Sequence, residues 1–402
     1  MRPSYPPQTS SPVPVHSLGI SQILAYGVMF YAFAQLKQPL AGYFQITETR
    51  FLGVLSLTLI IQAVCAPIIG RWTDRYSALR VMGAGFMLGA AGVMFLPLFT
   101  DFVWLCLCMM VISFASGLST YELAFSAAVQ IDEARSRTNI SYITFYGAVA
   151  SSVIWLCLGL LLPVFGLWQT LMMLALALAG MGLWMTRLAR IYSRSEQDQK
   201  QRLTPFSFSS LHLSEKRATL LLGLAGGLEY LAFSAAALMW ISFFSDMFGS
   251  VAIAVFLASI YGPFQLVGRV IEMVAGHGYD ARLTGALASL LVPISLFLAS
   301  FDHIGLSILA MMLFGMGHGV LTVSFGFISN LYFRAEIYGR AKALHAIPRT
   351  LGLACGPFAG SWLYTQFPEQ FVLILCLLTV LSGVSFWALL GQRPTNSIHF
   401  KD

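Results

Sequence analysis

Apolar runs of about 20 residues recur from one end of this 402-residue chain to the other. An α-helix needs roughly that length to cross the hydrocarbon core of a bilayer. Charged residues make up only 10 % of the chain, against about a quarter in soluble domains. Membrane-spanning β-strands are about half as long and alternate polar with apolar residues, which these runs do not. The sequence therefore predicts an all-α integral membrane protein.

Twelve transmembrane helices are predicted, in two pseudo-symmetric bundles of six. The N-terminal bundle is expected at 17–190 and the C-terminal bundle at 218–392, joined by a polar cytoplasmic linker at 191–217. Residues 1–16 are expected to form a disordered cytoplasmic tail, and 393–402 a second cytoplasmic tail. The predicted spans are 17–37, 51–70, 79–99, 102–129, 139–162, 167–189, 218–243, 250–275, 283–300, 304–330, 339–364 and 370–391.

Lysines and arginines are distributed unevenly between the two sides of this predicted topology. Of the 23, only Lys37 and Arg50 belong to the side opposite the termini. Because cytoplasmic loops carry an excess of these residues, both termini are expected in the cytoplasm. The net charge of +6 is then a topology signal, and no nucleic-acid partner is expected. Lys37, near the end of the first span, is expected to reach the interface with its ammonium group.

Cofactor and catalytic signals are weak in this sequence. The six cysteines all fall within predicted spans and lack metal-ligand spacing, so neither a disulfide framework nor a metal site is expected. No Gly-x-x-x-x-Gly-Lys phosphate-binding loop is present, and no nucleophile has a base at a plausible spacing. We therefore expect no cofactor and no enzymatic activity.

A charged loop separates the second and third predicted spans. It reads Gly-Arg-Trp-Thr-Asp-Arg-Tyr-Ser-Ala-Leu-Arg from Gly70 to Arg80. Gly70, Asp74, Arg75 and Arg80 resemble the loop signature Gly-x-x-x-Asp-Arg/Lys-x-Gly-Arg/Lys-Arg/Lys of the major facilitator superfamily. Ser77 stands at the position of the second glycine, and the basic pair is reduced to Arg80.

The eighth predicted span repeats the pattern as Gly268-Arg269-x-x-Glu272. A parallel repeat of six spans is the arrangement that the superfamily implies. The resemblance to its bacterial members further implies a multi-pass plasma-membrane protein of the bacterial inner membrane that transports by alternating access. Arg269 and Glu272 are three residues apart, so we expect them to pair along the helix. The predicted conformational latch comprises Gly70, Asp74, Arg75, Arg80, Gly268, Arg269 and Glu272.

Polar side chains inside the spans are functional candidates, because such groups are costly in lipid. Arg349 is the deepest cation, and its permanent charge requires an anion. That anion could be Glu229 or Glu122, or the carboxylate of a substrate. Glu229, the deepest acid, could carry a proton or pair with a basic residue. The substrate-binding candidates are Tyr26, Tyr121, Glu122, Tyr146, Glu229, Tyr230, Gln265, His318, His345 and Arg349.

These features predict a secondary active transporter of a small organic solute, driven by protons or by exchange along a solute gradient. Arg349 favours a solute that bears a carboxylate. One alternative is efflux of apolar or cationic drug-like compounds, with Glu229 or Glu122 as the counter-charge. Another is a membrane sensor or assembly partner that keeps the fold without transporting. The expected state is a monomer in the lipid bilayer.

Overall fold

The computed structural model describes residues 13–132, 135–192, 211–275, 280–332 and 338–392. Most of the predicted linker and tails lie outside these ranges, so their boundaries and their expected disorder stay predictions. The side chain of Asp74 also lies outside the described part of the structure.

Helices make up nearly all of the described chain. A π-helical stretch, Gly27–Tyr31, joins the first two helices, and a short 3-10 turn, Leu96–Leu98, follows the fourth. The α-helices are α1 Val15–Tyr26, α2 Phe33–Tyr43, α3 Glu48–Tyr76, α4 Ala78–Phe95, α5 Phe102–Gly117, α6 Tyr121–Ile131, α7 Ser136–Ala148, α8 Ala150–Ile191, α9 Leu213–Phe248, α10 Val251–Ala275, α11 Ala281–Ala299, α12 Ile304–Tyr332, α13 Tyr338–Gln366 and α14 Phe371–Leu390.

The described helices are consistent with the twelve predicted spans. Among them, 9 are long and apolar enough to cross a membrane. The count rises to 10 if the bent pair Val15–Tyr31 and Phe33–Tyr43 forms one span. One of these segments, Thr138–Ile191, has 54 residues and is broken at Gly166, whose φ of +70° favours glycine. It is long enough for two spans. The remaining span is α13, which has 29 residues but is too polar to be identified from composition alone.

The helices pack as two groups that meet along a few helix pairs. In the N-terminal group α4 packs against α5 and α8, and α1 packs against α7. In the C-terminal group α9 packs against α13 and α14, while α10 and α11 pack against α12. Contacts of α3 with α13, of α10 with α8 and of α2 with α9 join the two groups.

Glycines of α13 allow the close approach of α13 to α9. A Cβ atom on Gly360 would lie 2.8 Å from the Cα atom of Ala235 in α9, which is closer than the Cβ atoms of real side chains come. Small residues in membrane helices let backbones approach in this way, so that dispersion contacts replace the hydrophobic effect as the driving force. These glycines, spaced four residues apart, are Gly352, Gly356 and Gly360.

A proline in α10 creates a polar contact between the two groups. Pro263 has no N–H, so the carbonyl of Ser259, four residues earlier, loses its helical donor. The hydroxyl of Ser152 in α8 donates to that carbonyl at 2.6 Å, and its oxygen accepts from the Gly262 amide at 3.1 Å. The orphaned carbonyl is thus satisfied from the other bundle, as a group buried in lipid requires.

The turn between α3 and α4 contains a non-glycine residue in a left-handed conformation. Ser77 has φ +68° and ψ +144°, a region that side chains rarely adopt. The superfamily signature carries its second glycine at this position, and the backbone geometry supplies a physical reason for that preference.

We expect Ser77→Gly to stabilise the protein. A side chain in this region costs about 1–3 kcal/mol, and the greater freedom of glycine in the unfolded chain offsets about 0.5–1 kcal/mol of the gain. Thermal unfolding of the detergent-purified protein should show a higher midpoint. Ser300→Gly is the matched control, because φ at Ser300 is an ordinary −74°. A midpoint for Ser77→Gly at or below the wild-type value would contradict this explanation.

Candidate functional site

Lys37 joins the two helix groups at one end of the molecule. We call the end that holds Val15, Ser77 and Leu390 the terminal face, and the other end the opposite face. Lys37 lies towards the opposite face but is only 1 % exposed. Its Nζ donates to the Leu238 carbonyl of α9 at 2.8 Å and lies 3.8 Å from the Glu48 carboxylate. The expectation that its ammonium reaches the interface is wrong, because these oxygens take the place of water.

Further hydrogen bonds connect α3 with α13 on the same side of the molecule. The hydroxyls of Thr49 and Ser361 lie 3.0 Å apart. The Phe358 amide donates to the hydroxyl of Ser56 at 2.9 Å. Together with Lys37, these contacts hold the two bundles against each other towards the opposite face.

An aromatic cluster occupies the interior of the C-terminal bundle, around His318 of α12. The His318 ring lies 4.0 Å from the ring of Phe233, 5.6 Å from that of Tyr230 and 6.1 Å from that of Tyr261, between centroids. His318 is 4 % exposed, and within the described residues its Nδ1 has no hydrogen-bond partner. Such a group is costly unless a ligand, water or a second conformation satisfies it.

Arg269 of α10 reaches across to the N-terminal bundle. Its Nη1 donates to the Thr144 carbonyl of α7 and, at 3.3 Å, to the Tyr121 hydroxyl of α6. The residue is 4 % exposed, and its Nε has no partner among the described residues. Both acceptors are neutral, so the hydrogen bonds leave the guanidinium charge uncompensated.

The predicted pairing of Arg269 with Glu272 is wrong. The Glu272 carboxylate instead accepts from the Thr284 hydroxyl of α11 at 2.9 Å and from the Ser324 hydroxyl of α12 at 3.3 Å. Three-residue spacing permits an ion pair along a helix, but here neighbouring helices supply better-placed partners for each side chain.

Arg349 of α13 lies beside the aromatic cluster. Its Cζ is 5.2 Å from the centroid of the Tyr230 ring, a cation–π contact, and the side chain is partly exposed. Among the described residues no carboxylate lies within ion-pair distance of it. Neither Glu229 nor Glu122 is therefore its counter-ion in this conformation.

Glu229 is buried on another side of α9. It lies one turn after Ala225, whose carbonyl accepts from the Ser382 hydroxyl of α14 at 2.9 Å. It is 2 % exposed and makes no hydrogen bond or ion pair within the described part of the chain. The position of Glu229 along the chain indicated its depth in the membrane. It did not indicate the face of α9 on which the residue lies, so it did not predict its neighbours.

Glu122 lies in the first turn of α6, where the sequence predicted the interior of one continuous span. The chain breaks between α5 and α6 at residues 118–120, and Glu122 is exposed. A carboxylate in the first turn interacts favourably with the helix dipole. That interaction accounts for Glu122 without a role in substrate binding.

Tyr121 of the N-terminal bundle faces Arg269 and packs against Tyr26. The Tyr121 ring lies 4.8 Å from the ring of Tyr26, and its hydroxyl packs against Gly147, where a Cβ atom would collide with it. Tyr146, one residue earlier on α7, points elsewhere and bonds the His16 ring. The structure thus brings together Tyr26 and Tyr121 but not Tyr146.

The remaining predicted residues occupy two places. Gln265 is 3 % exposed on α10, one turn from both Tyr261 and Arg269, and its backbone packs against Gly315 and Gly319. His345 of α13 is 6 % exposed and lies one turn from Arg349. The substrate roles of all these residues stay predictions.

The latch motif lies where α3 ends and α4 begins. Arg75 stacks on the ring of its neighbour Tyr76, at 5.2 Å, and Arg80 is exposed in the first turn of α4. Gly268 packs against the Met316 backbone of α12. A latch role for these residues and for Gly70 and Asp74 stays a prediction.

Sequence reasoning missed part of the site. Arg269 was assigned to the latch, Phe233 was not singled out, and the Thr144 carbonyl has no signature in a sequence. The four-residue spacing of Tyr261, Gln265 and Arg269 was the available signal, because it places all three on one face of α10.

Comparison with known proteins identifies the class. A family model described as Major Facilitator Superfamily matches residues 18–346. The chain therefore belongs to the major facilitator superfamily, and it is a multi-pass secondary transporter and not an enzyme.

Solved structures with the same fold support this assignment. A point mutant of the nucleoside transporter NupG is 16 % identical, with a TM-score of 0.74, over 93 % of this chain and 99 % of that one. A bacterial homolog of the human lysosomal transporter Spinster, inward-facing and occupied, is 11 % identical, with a TM-score of 0.68, over 94 % and 96 %. No curated protein matches the sequence. At these identities the likeness concerns the fold alone.

Proposed function

We propose that this transporter carries a small organic anion that bears a carboxylate. The observation that carries the proposal is a pair of arginines: Arg349, which stacks on Tyr230 of the aromatic cluster, and Arg269, which lies on the same face of α10 as Tyr261. Within the described structure neither has a carboxylate partner. An uncompensated charge within a membrane protein is expensive, and such charges mark substrate pathways.

Arginine suits this role better than any other cation. Its planar guanidinium binds a carboxylate through two parallel hydrogen bonds and cannot lose its proton. Arg349 is partly exposed, so a solute can reach it, whereas Arg269 is buried at the contact between bundles. Arg349 is the primary anchor, and Tyr230 provides an apolar wall beside it.

The same arrangement disfavours efflux of cationic compounds. Glu122 is exposed in the first turn of α6, and Glu229 lies on a side of α9 that differs from that of Tyr230. Neither acid is placed to offset a cation beside Arg349, and like charges in a low-dielectric site repel strongly. A non-transporting sensor or assembly partner would not require two uncompensated arginines.

Transport would proceed by a rocking motion of the two bundles. The contacts of Lys37, Thr49 and Ser56 towards the opposite face break when that side opens. The basic residues of the terminal face favour its placement in the cytoplasm of a bacterial cell. The Gly70–Arg80 loop would then act as the inner latch.

Arg349→Gln should abolish stabilisation by carboxylates. A ligand at about 100 times its dissociation constant raises the stability by roughly 2.7 kcal/mol, which a thermal-shift screen of carboxylates, sugars, amino acids and cationic drugs detects. Arg187→Gln is the matched control, because Arg187 is an exposed cation that stacks on Trp184 at 5.9 Å. If Arg349→Gln kept the full shift, or only cations stabilised the wild type, the proposal would fail.

We further propose that Glu229 couples transport to protons. A carboxyl group that is 2 % exposed, with no partner among the described residues, is tolerated as the neutral acid. Loss of its proton requires water or a new partner, so ionisation must accompany a change in the packing of α9 against α14. That requirement links the proton to the conformational cycle.

Glu229→Gln should separate exchange from proton-driven accumulation. In proteoliposomes, the variant should exchange internal for external carboxylate but should no longer concentrate it in response to a pH gradient. Asp302→Asn is the control, because Asp302 is an exposed acid outside the candidate site and the predicted latch. Accumulation by Glu229→Gln at the wild-type level would refute the assignment and favour a pure exchanger.

A further inference from the structure

We propose that the site selects a solute with two acidic groups, one bound by Arg349 and the other by Arg269. This inference rests on the proposed anion transport and deepens it, because it assigns Arg269 to substrate recognition. Three features support it: the level of the two arginine residues along the bundle, the unused donors of Arg269, and the charge of the site.

The two arginines lie at similar levels in the C-terminal bundle. A Cβ atom on Gly226 of α9 would be 3.4 Å from the Arg349 Cβ, so Arg349 lies one turn from Tyr230 towards the terminal face. Arg269 lies one turn from Gln265 in the same direction along α10. Gln265 packs against Gly315 and Gly319, which flank His318 in α12. Measured along the helices, both arginines therefore lie about one turn, roughly 5 Å, from the Tyr230–His318 contact, on the side of the terminal face.

The two arginines border the aromatic cluster from two helices. Arg349 stacks over the Tyr230 ring, and Arg269 lies two turns after Tyr261 on the same face of α10. The rings of Tyr230 and Tyr261 lie 5.6 and 6.1 Å from that of His318, between centroids, so the cluster connects the two arginines. Tyr121 borders Arg269 from the N-terminal bundle, so a bound solute would touch both halves.

Arg269 retains donors for a ligand. Both of its hydrogen bonds come from Nη1, and its buried Nε has no partner among the described residues. A guanidinium has five N–H donors in a planar fork. A carboxylate forms shorter and stronger charge-assisted bonds than a carbonyl or a phenol does. An acid group of the solute would therefore displace or supplement the Thr144 carbonyl and the Tyr121 hydroxyl.

The charge of the site calls for two negative groups. The site holds two permanent cations, Arg349 and Arg269, and no described carboxylate lies within ion-pair distance of either. A monocarboxylate would compensate one guanidinium and leave the other with neutral acceptors only. A dicarboxylate compensates both, and its pair with Arg269, which is 4 % exposed, forms away from bulk water.

The test compares acids of equal chain length on the purified full-length protein. Binding of succinate against butyrate, and of glutarate against valerate, is measured by titration calorimetry. We expect each diacid to bind at least about 30-fold more tightly than its monoacid, as a buried charge pair implies. Arg269→Gln should bring the affinities for each diacid and its monoacid within about 3-fold of each other, and Arg349→Gln should weaken binding of both classes.

A conservative variant separates recognition from a structural role. Arg269→Lys keeps the positive charge but not the fork, so it should retain part of the diacid preference that Arg269→Gln loses. Equal binding of mono- and diacids by the wild type would overturn this inference and leave the proposed function intact. Failure of every carboxylate to bind would overturn both. Binding of inorganic phosphate in place of the acids would also overturn the inference.

Discussion

The hydrogen bonds of Arg269 to the N-terminal bundle connect the site with the packing of the two halves. A guanidinium that is 4 % exposed donates to a backbone carbonyl and a phenol of the other bundle. These acceptors satisfy donors but leave the charge uncompensated, and an unpaired buried charge costs about 3–5 kcal/mol when its partner is removed. A substrate anion that supplies the missing charge would therefore change the energy of the contact between halves. Binding and movement become linked through one side chain.

The rest of the interface consists of single hydrogen bonds. They satisfy polar groups with which lipid cannot form hydrogen bonds. Ser152 satisfies the Ser259 carbonyl freed by Pro263, and Lys37 binds the Leu238 carbonyl across the bundles. A hydrogen bond between neutral groups contributes only about 0.5–1.5 kcal/mol net, and one from a charged donor such as Lys37 about 1.5–3 kcal/mol. Contacts of that size hold one conformation without trapping it. They suit a protein whose halves must separate during every transport cycle.

The sequence was sufficient for the membrane class and the twelve spans, because the length of the apolar runs follows directly from bilayer thickness. The family was indicated by the resemblance of the Gly70–Arg80 loop to the superfamily signature. It located Arg349 and Tyr230 in the candidate site, since both are polar residues deep in spans. The sequence did not reveal the helix faces that separate Glu229 from Arg349. It also did not reveal the break between α5 and α6 that places Glu122 in an exposed first turn. The partners of Arg269 and Lys37 include backbone carbonyls, which no residue pattern reveals.

The proposed transport of anions depends on positive charge in the site that the protein itself does not neutralise. The most direct measurement is the thermal stability of ligand-free Tyr230→Glu against ligand-free Tyr230→Gln. Arg349 Cζ is 5.2 Å from the Tyr230 ring, so a glutamate there would meet the guanidinium. We predict that the glutamate variant is more stable than the glutamine variant and no longer gains stability from carboxylates. A glutamate variant that is equally or less stable would contradict the uncompensated charge.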